Sequence, residues 1–211
     1  MRRWYPQYWA QTWYRNTYLV RHPRDIGRAT GHDREWNNIC DSGCNFTCLA
    51  MVVGIDPAHL ASALRDKKVF CADRLLPADY LCGRSGGLVW DRNAPNRPGQ
   101  SISTPKLWHH AKNQAVSVTI TLVDIDQTNQ LDKGNRIVKA ARREKLHVIC
   151  GPEEHSHLVA GTRNGEFFIW DPDDSERQLA DILCGNITLR CVFDDYPEQV
   201  IEFWKYRVTF A

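Results

Sequence analysis

Cys44 stands at the end of a small polar turn, Asp41-Ser42-Gly43-Cys44, that runs directly into the apolar stretch Phe46 to Val53. That pattern predicts a helix beginning at the cysteine. A thiol at a helix N-terminus feels the positive end of the macrodipole and the unpaired first-turn amides, which favour the nucleophilic thiolate. The same amides can hold an oxyanion. Taken alone, such a cysteine is more often a packed small hydrophobe, so the chemistry needs a partner elsewhere in the chain.

The segment His155 to Pro172 supplies one. It reads as two strands joined by a tight Asn164-Gly165 turn, with His155 and His157 at its start and Asp171 at its end. A thiol nucleophile needs a base that shares its proton, and the imidazole needs an acceptor that fixes its tautomer. Cys44, a histidine and Asp171 therefore suit a catalytic triad. Two signals divide the histidines. With a regular hairpin Asp171 faces Leu158, and His155 stands sixteen residues before the aspartate.

In these motifs the chain resembles the papain-like cysteine peptidases, in particular the bacteriocin-processing (double-glycine leader) peptidases and their free-standing relatives. Gly43-Cys44 and Leu49-Ala50-Met51-Val52 match the family's cysteine turn and helix, although Asn45-Phe46 stands where Gly-Pro is usual and Cys48 where a small residue is usual. Val148-Ile149-Cys150, the strand with His155 and His157, and Trp170-Asp171-Pro172 match its later motifs; together the likeness covers roughly residues 36–66 and 131–172. The resemblance implies a papain-like fold, a thiol hydrolase of amide bonds, and no cofactor. The sixteen-residue separation is the family's and favours His155; the family's apolar run after its histidine is matched by Leu158-Val159-Ala160 and tips the choice to His157, with His155 as a cleft neighbour. Relatives carry a Gln or Asn shortly before the cysteine to complete the oxyanion hole. Asn38 fits that place, Asn37 is the alternative, and both are also ordinary turn residues.

The elements that must position these groups follow from periodicity and punctuation. Gly54 closes the cysteine helix, and Asp56-Pro57 opens a second with Leu60, Ala61 and Leu64 on one face. Val116, Val118, Ile120 and Leu122 alternate as in a half-buried strand, and Ile137, Val138 and Ala141 mark an amphipathic helix. Leu146 to Cys150 reads as a central strand, Glu176 to Cys184 as a short helix, and Tyr206 to Phe210 as a closing strand. Helices first and an antiparallel sheet later make an α+β fold. Residues 71–105 are irregular and are expected to loop over the cleft, with Trp90 either a substrate contact or a surface residue. Residues 1–30 are read as an aromatic and basic strap, residues 31–211 as one catalytic domain; Tyr5, Trp9 and Trp13 would share a helical face that packs on the domain or serves as a stacking platform.

At 211 residues and 43% hydrophobic content the chain can bury one good core. A net charge of +2 gives no pull toward nucleic acid, and no run of about eighteen apolar residues predicts a membrane span. Met1 to Pro6 lacks the apolar run of a signal peptide, so a cytoplasmic start is expected, with delivery elsewhere by a secretion machine or phage lysis. Cys40, Cys44 and Cys48 recur every fourth residue, but that spacing matches neither zinc ribbons nor ferredoxin runs, and no metal is expected. The other cysteines read as scattered small hydrophobes. The substrate would be a protein or peptide, peptidoglycan peptide included. A peptidase, a glutamine deamidase, a cell-wall amide hydrolase, and an inert binding module that keeps the fold all remain open.

Overall fold

The computed structural model describes residues 8–17, 39–66, 97–126, 130–152, 155–173 and 179–211. The first described residues, Tyr8 to Ala10, lead into a 3₁₀ turn, Gln11–Tyr14, with Ala10 in extended backbone. Then come α1 (Ile39–Ser42), α2 (Cys44–Val53) and α3 (Pro57–Asp66). The second half carries β1 (Ser101–Ser103), β2 (Leu107–His109), β3 (Gln114–Asp126), α4 (Leu131–Arg143), β4 (His147–Pro152), β5 (His157–Arg163), β6 (Glu166–Trp170), α5 (Leu179–Cys184), α6 (Leu189–Asp195) and β7 (Ile201–Phe210). The strands form one antiparallel sheet in the order β1-β3-β7-β4-β5-β6, with β2 also paired to β3. Helix-first order and an antiparallel sheet make the α+β class expected from the sequence.

Because side chains alternate across a strand, the sheet separates two hydrophobic cores. Val116, Val118, Ile120 and Leu122 of β3, Ile149 of β4, Leu158 of β5 and Trp204 and Tyr206 of β7 pack with α2 and α3 on one side. Val148 and Cys150, Val159, Ile169, Ile201 and Phe203 pack with α4 and α6 on the other. Every residue of α2 is buried, so it is the central helix of the first core. Its C-terminus is closed by Gly54 in the left-handed region at φ 76°. At the next start, the Asp56 carboxylate accepts from the Ala58 and His59 amides at 2.9 and 3.3 Å, which caps α3. No single helix among the described residues is long and apolar enough to cross a membrane.

Some expected elements differ. The strand read as closing, Tyr206 to Phe210, is the end of β7, a ten-residue strand between β3 and β4 in the middle of the sheet. Its long non-local pairings cannot be seen in local periodicity. The irregular stretch ends earlier than 105, because Ser101–Ser103 pairs with β3, its hydroxyls bonding Thr121 and Thr119 across the edge. The 3₁₀ turn puts Trp9 in the first core and leaves Trp13 57% exposed, so these two do not share a buried helical face. Residues 67–96, which hold most of the expected cleft loop, lie outside the described residues.

Candidate active site

Cys44 is the first residue of α2 and is buried. Gly43 precedes it because nothing larger fits: a Cβ there would run into the Ile39 carbonyl and lie 2.7 Å from the Ile39 Cα. The amide of Gly43 donates to that same carbonyl at 2.9 Å, and its own carbonyl accepts from Thr47 at 2.7 Å. The backbone thus turns at Gly43 and brings Cys44 into the first turn of the helix.

The histidine segment is drawn onto this helix by two contacts. Asn45 Nδ2 donates to Ser156 Oγ at 3.4 Å, and the Cys48 thiol donates to the Ser156 carbonyl at 3.6 Å. Asn45 Oδ1 accepts from the buried Tyr206 hydroxyl at 3.0 Å, tying the helix to β7 as well. Ser156 lies between the two histidines, so α2 grips the segment that bears them. Burial, followed by the nearby Cys44, Asp171 and Cys150, pushes the Cys48 thiol well up. It stays protonated and able to donate. On the other side, Gly151 lets the chain fold back, since a Cβ there would strike the His155 carbonyl, and the His155 amide bonds Pro152 at 3.1 Å.

Asp171 arrives through the β5–β6 hairpin, whose Asn164-Gly165 turn was legible in the sequence. Its register was not. A bulge between Val159 and Gly161 shifts the pairing by one residue, so Leu158 faces Trp170 and Asp171 falls level with His157. Bulges of this kind re-aim side chains beside functional sites. Gly161 accommodates it, because a Cβ there would collide with the Phe168 ring.

Asp171 then engages both histidines. His155 Nε2 lies 2.8 Å from Asp171 Oδ1, and His157 Nε2 lies 3.5 Å from Oδ2, with the two rings edge to face at 4.4 Å. Oδ1 also accepts the Asp173 amide at 2.8 Å. The two imidazoles have opposite electrostatics. Burial draws His155 toward neutrality, but its hydrogen bonds to Asp171 and to Cys44 outweigh that and push it up to about 10. For His157, burial dominates the Asp171 contact and the value falls below the ordinary histidine range. Burial alone would raise Asp171, yet the two histidines hold it well below the usual carboxylate range.

The contacts therefore run against the lean toward His157. His155 hydrogen-bonds Asp171 and is raised by Cys44 as well, while burial keeps His157 neutral beside the far carboxylate oxygen. With His155 Nε2 committed to the carboxylate, Nδ1 is the nitrogen left for the sulfur. The apolar run after His157 belongs to β5, whose first residue is His157. Asn38, its alternative Asn37 and Trp90 lie outside the described residues. Asn45, Ser156 and Tyr206 were missed, because a buried hydrogen-bond chain between helix and sheet leaves no spacing signal. Asn45 replaces an expected glycine, and that substitution was its one trace.

His155, His157 and Asp171 place one donor atom each within 4.8 Å of the others, close enough to converge on a metal ion. An ion on His155 would have to displace a proton held up to about 10. That competition weakens binding further as pH falls. The same proton is what acid–base chemistry uses. Compared with protein-family models, curated proteins and solved structures, the chain has no match.

Proposed function

We propose that the chain is a papain-like thiol hydrolase of amide bonds, with Cys44 as nucleophile, His155 as general base and acid, and Asp171 as its orienter. The observation that carries this is one imidazole hydrogen-bonded to a largely buried carboxylate and raised by both that carboxylate and a helix-start thiol. An imidazolium next to a thiol stabilises the thiolate. Opposed shifts on neighbouring titratable groups separate the proton-transferring histidine from the supporting one. His157 holds the second oxygen of Asp171 and so keeps the carboxylate in one orientation.

In the reaction, the Cys44 thiolate attacks the amide carbon, and the carbonyl electron pair becomes an oxyanion facing the first-turn amides of α2. His155 gives its proton to the departing nitrogen as the C–N bond breaks, leaving a thioester. Water then loses a proton to His155, attacks the thioester carbon and expels the Cys44 thiolate, releasing the acid and restoring the ion pair. A backbone amide as substrate makes the chain a peptidase, acting on protein or on peptidoglycan peptide. A glutamine side chain makes it a deamidase, with ammonia as the leaving group.

The test is incubation of the full chain with a peptide library and a glutamine-rich protein, followed by intact mass measurement. Peptide cleavage, or a gain of about one dalton per glutamine, supports hydrolysis provided that Cys44→Ala lacks it. Products formed equally by Cys44→Ala would overturn the assignment. A chain inert toward every substrate, whose Cys44 also reacts no faster than an unfolded-chain thiol, would leave the fold as a binding module.

A further inference from the structure

The described segment Tyr8 to Thr17 sits against both ends of the site. Gln11 is buried in the 3₁₀ turn, 4% exposed. Its side-chain amide donates to the Cys40 carbonyl at 3.0 Å, four residues before Cys44. Its backbone amide donates to the Pro172 carbonyl at 2.7 Å, immediately after Asp171. Next to it, the Tyr8 hydroxyl donates to the Asp171 carbonyl at 2.8 Å, and the Tyr8 ring stands edge-on to Trp170 with centroids 5.8 Å apart. Tyr14 binds the Asp56 carboxylate at 2.7 Å, and the Thr17 carbonyl accepts from the Ile39 amide at 3.0 Å, so the segment is fastened at its far end too. The turn before the thiol and the loop that ends in the carboxylate belong to elements far apart in sequence. Gln11 and Tyr8 pin them to one short piece of backbone.

Resting on the thiol-hydrolase proposal, we infer that Gln11 and Tyr8 are positioning residues that set the distance between the start of the Cys44 helix and Asp171, and through Asp171 the seating of His155. Neither touches the reacting atoms. Each acts by holding a backbone carbonyl, Gln11 through Cys40 and Tyr8 through Asp171. A site of this kind works only when its groups are held to within a fraction of an ångström by their surroundings. The hydrophobic part of the segment, Tyr8, Trp9 and Ala10 in the first core, supplies its stability. The polar contacts are therefore separable from folding.

Two variants remove one donor each while keeping shape, Gln11→Met and Tyr8→Phe. The full-length chain and both variants are alkylated with iodoacetamide at pH 6.5, with labelling resolved for each cysteine by peptide mass spectrometry, and their thermal midpoints are measured. The expected result is a rate at Cys44 about three- to tenfold lower in each variant, the range for losing one hydrogen bond. The midpoints should stay within a few degrees, with Cys48 and Cys150 protected as in the parent. A fast parent with unchanged Cys44 rates in both variants overturns the positioning role alone. So does labelling of Cys48 and Cys150 alongside Cys44 in both, because that is general loosening of the core. A parent whose Cys44 reacts no faster than an unfolded-chain thiol overturns the thiol proposal, and the positioning role falls with it.

Discussion

Replacing Asp171 with asparagine keeps the size and removes the charge that sets the proton on His155. In the parent, His155 rises from an ordinary 6.5 to about 10 against the pull of burial. At about 1.4 kcal/mol per pH unit, that corresponds to about 5 kcal/mol in favour of the imidazolium. The side chains of His155 and Asp171 are 15% and 18% exposed, so solvent screens little of it. In Asp171→Asn the hydrogen bond and charge of the carboxylate are gone while burial and the Cys44 contact remain, so His155 should titrate well below its parent value. Because the folded value in the parent is the higher one, the stabilisation is complete below pH 6.5 and is lost as pH rises toward 10. Nitrogen-15 NMR of the labelled imidazoles reads the inflection directly. Denaturant titrations across pH 6 to 10 read the linked stability, which should fall in the parent and flatten in Asp171→Asn. Turnover should drop on the order of the 10⁴-fold known for the comparable change in a serine triad, or less, since an asparagine still accepts a hydrogen bond. A His155 that titrates near 6.5 in the parent, or identically in the two proteins, would refute the reasoning.

Other outcomes follow from the same contacts. Cys44 should be the first of the cysteines alkylated at pH 6.5, while Cys150, pushed up to about 12 by burial, and the buried Cys48 stay unlabelled in the native chain; per-cysteine mass spectrometry checks the order. His155→Ala should abolish both turnover and the fast alkylation of Cys44, whereas His157→Gln, which keeps a donor for Asp171, should lower turnover about tenfold; the reverse ranking would return His157 to the role of base. Asn45→Leu leaves the buried Tyr206 hydroxyl without its acceptor and should destabilise the chain by about 1–3 kcal/mol in a urea titration. Gly43→Ala forces a methyl against the Ile39 carbonyl and should lower stability by about 1–3 kcal/mol while slowing Cys44 alkylation, measured on the same samples.

Local signals were enough for much of this molecule. Gly54, Asp56 and Pro57 mark helix ends because capping and φ preferences act over a few residues, and the structure places the boundaries there. Alternation from Val116 to Leu122 revealed β3 because one of its faces is buried. Cys44 at a helix start and Asp171 at a strand end were visible for the same reason. Tertiary structure decided what depends on pairing and on buried polar contacts. The one-residue bulge in β5 set which residue lies beside Asp171, and hydrophobic pattern alone carries no count of the unpaired residue. The central place of β7 came from its partners, β3 and β4, both distant in sequence. The different surroundings of His155 and His157 depend on contacts that only folding makes, the Asp171 carboxylate at 2.8 and 3.5 Å and the grip of Asn45 and Cys48 on Ser156 between them. Both histidines are two bonds from the same backbone, and only the packing of a helix against that backbone gives them different surroundings, His155 raised by Asp171 and Cys44 and His157 lowered by burial.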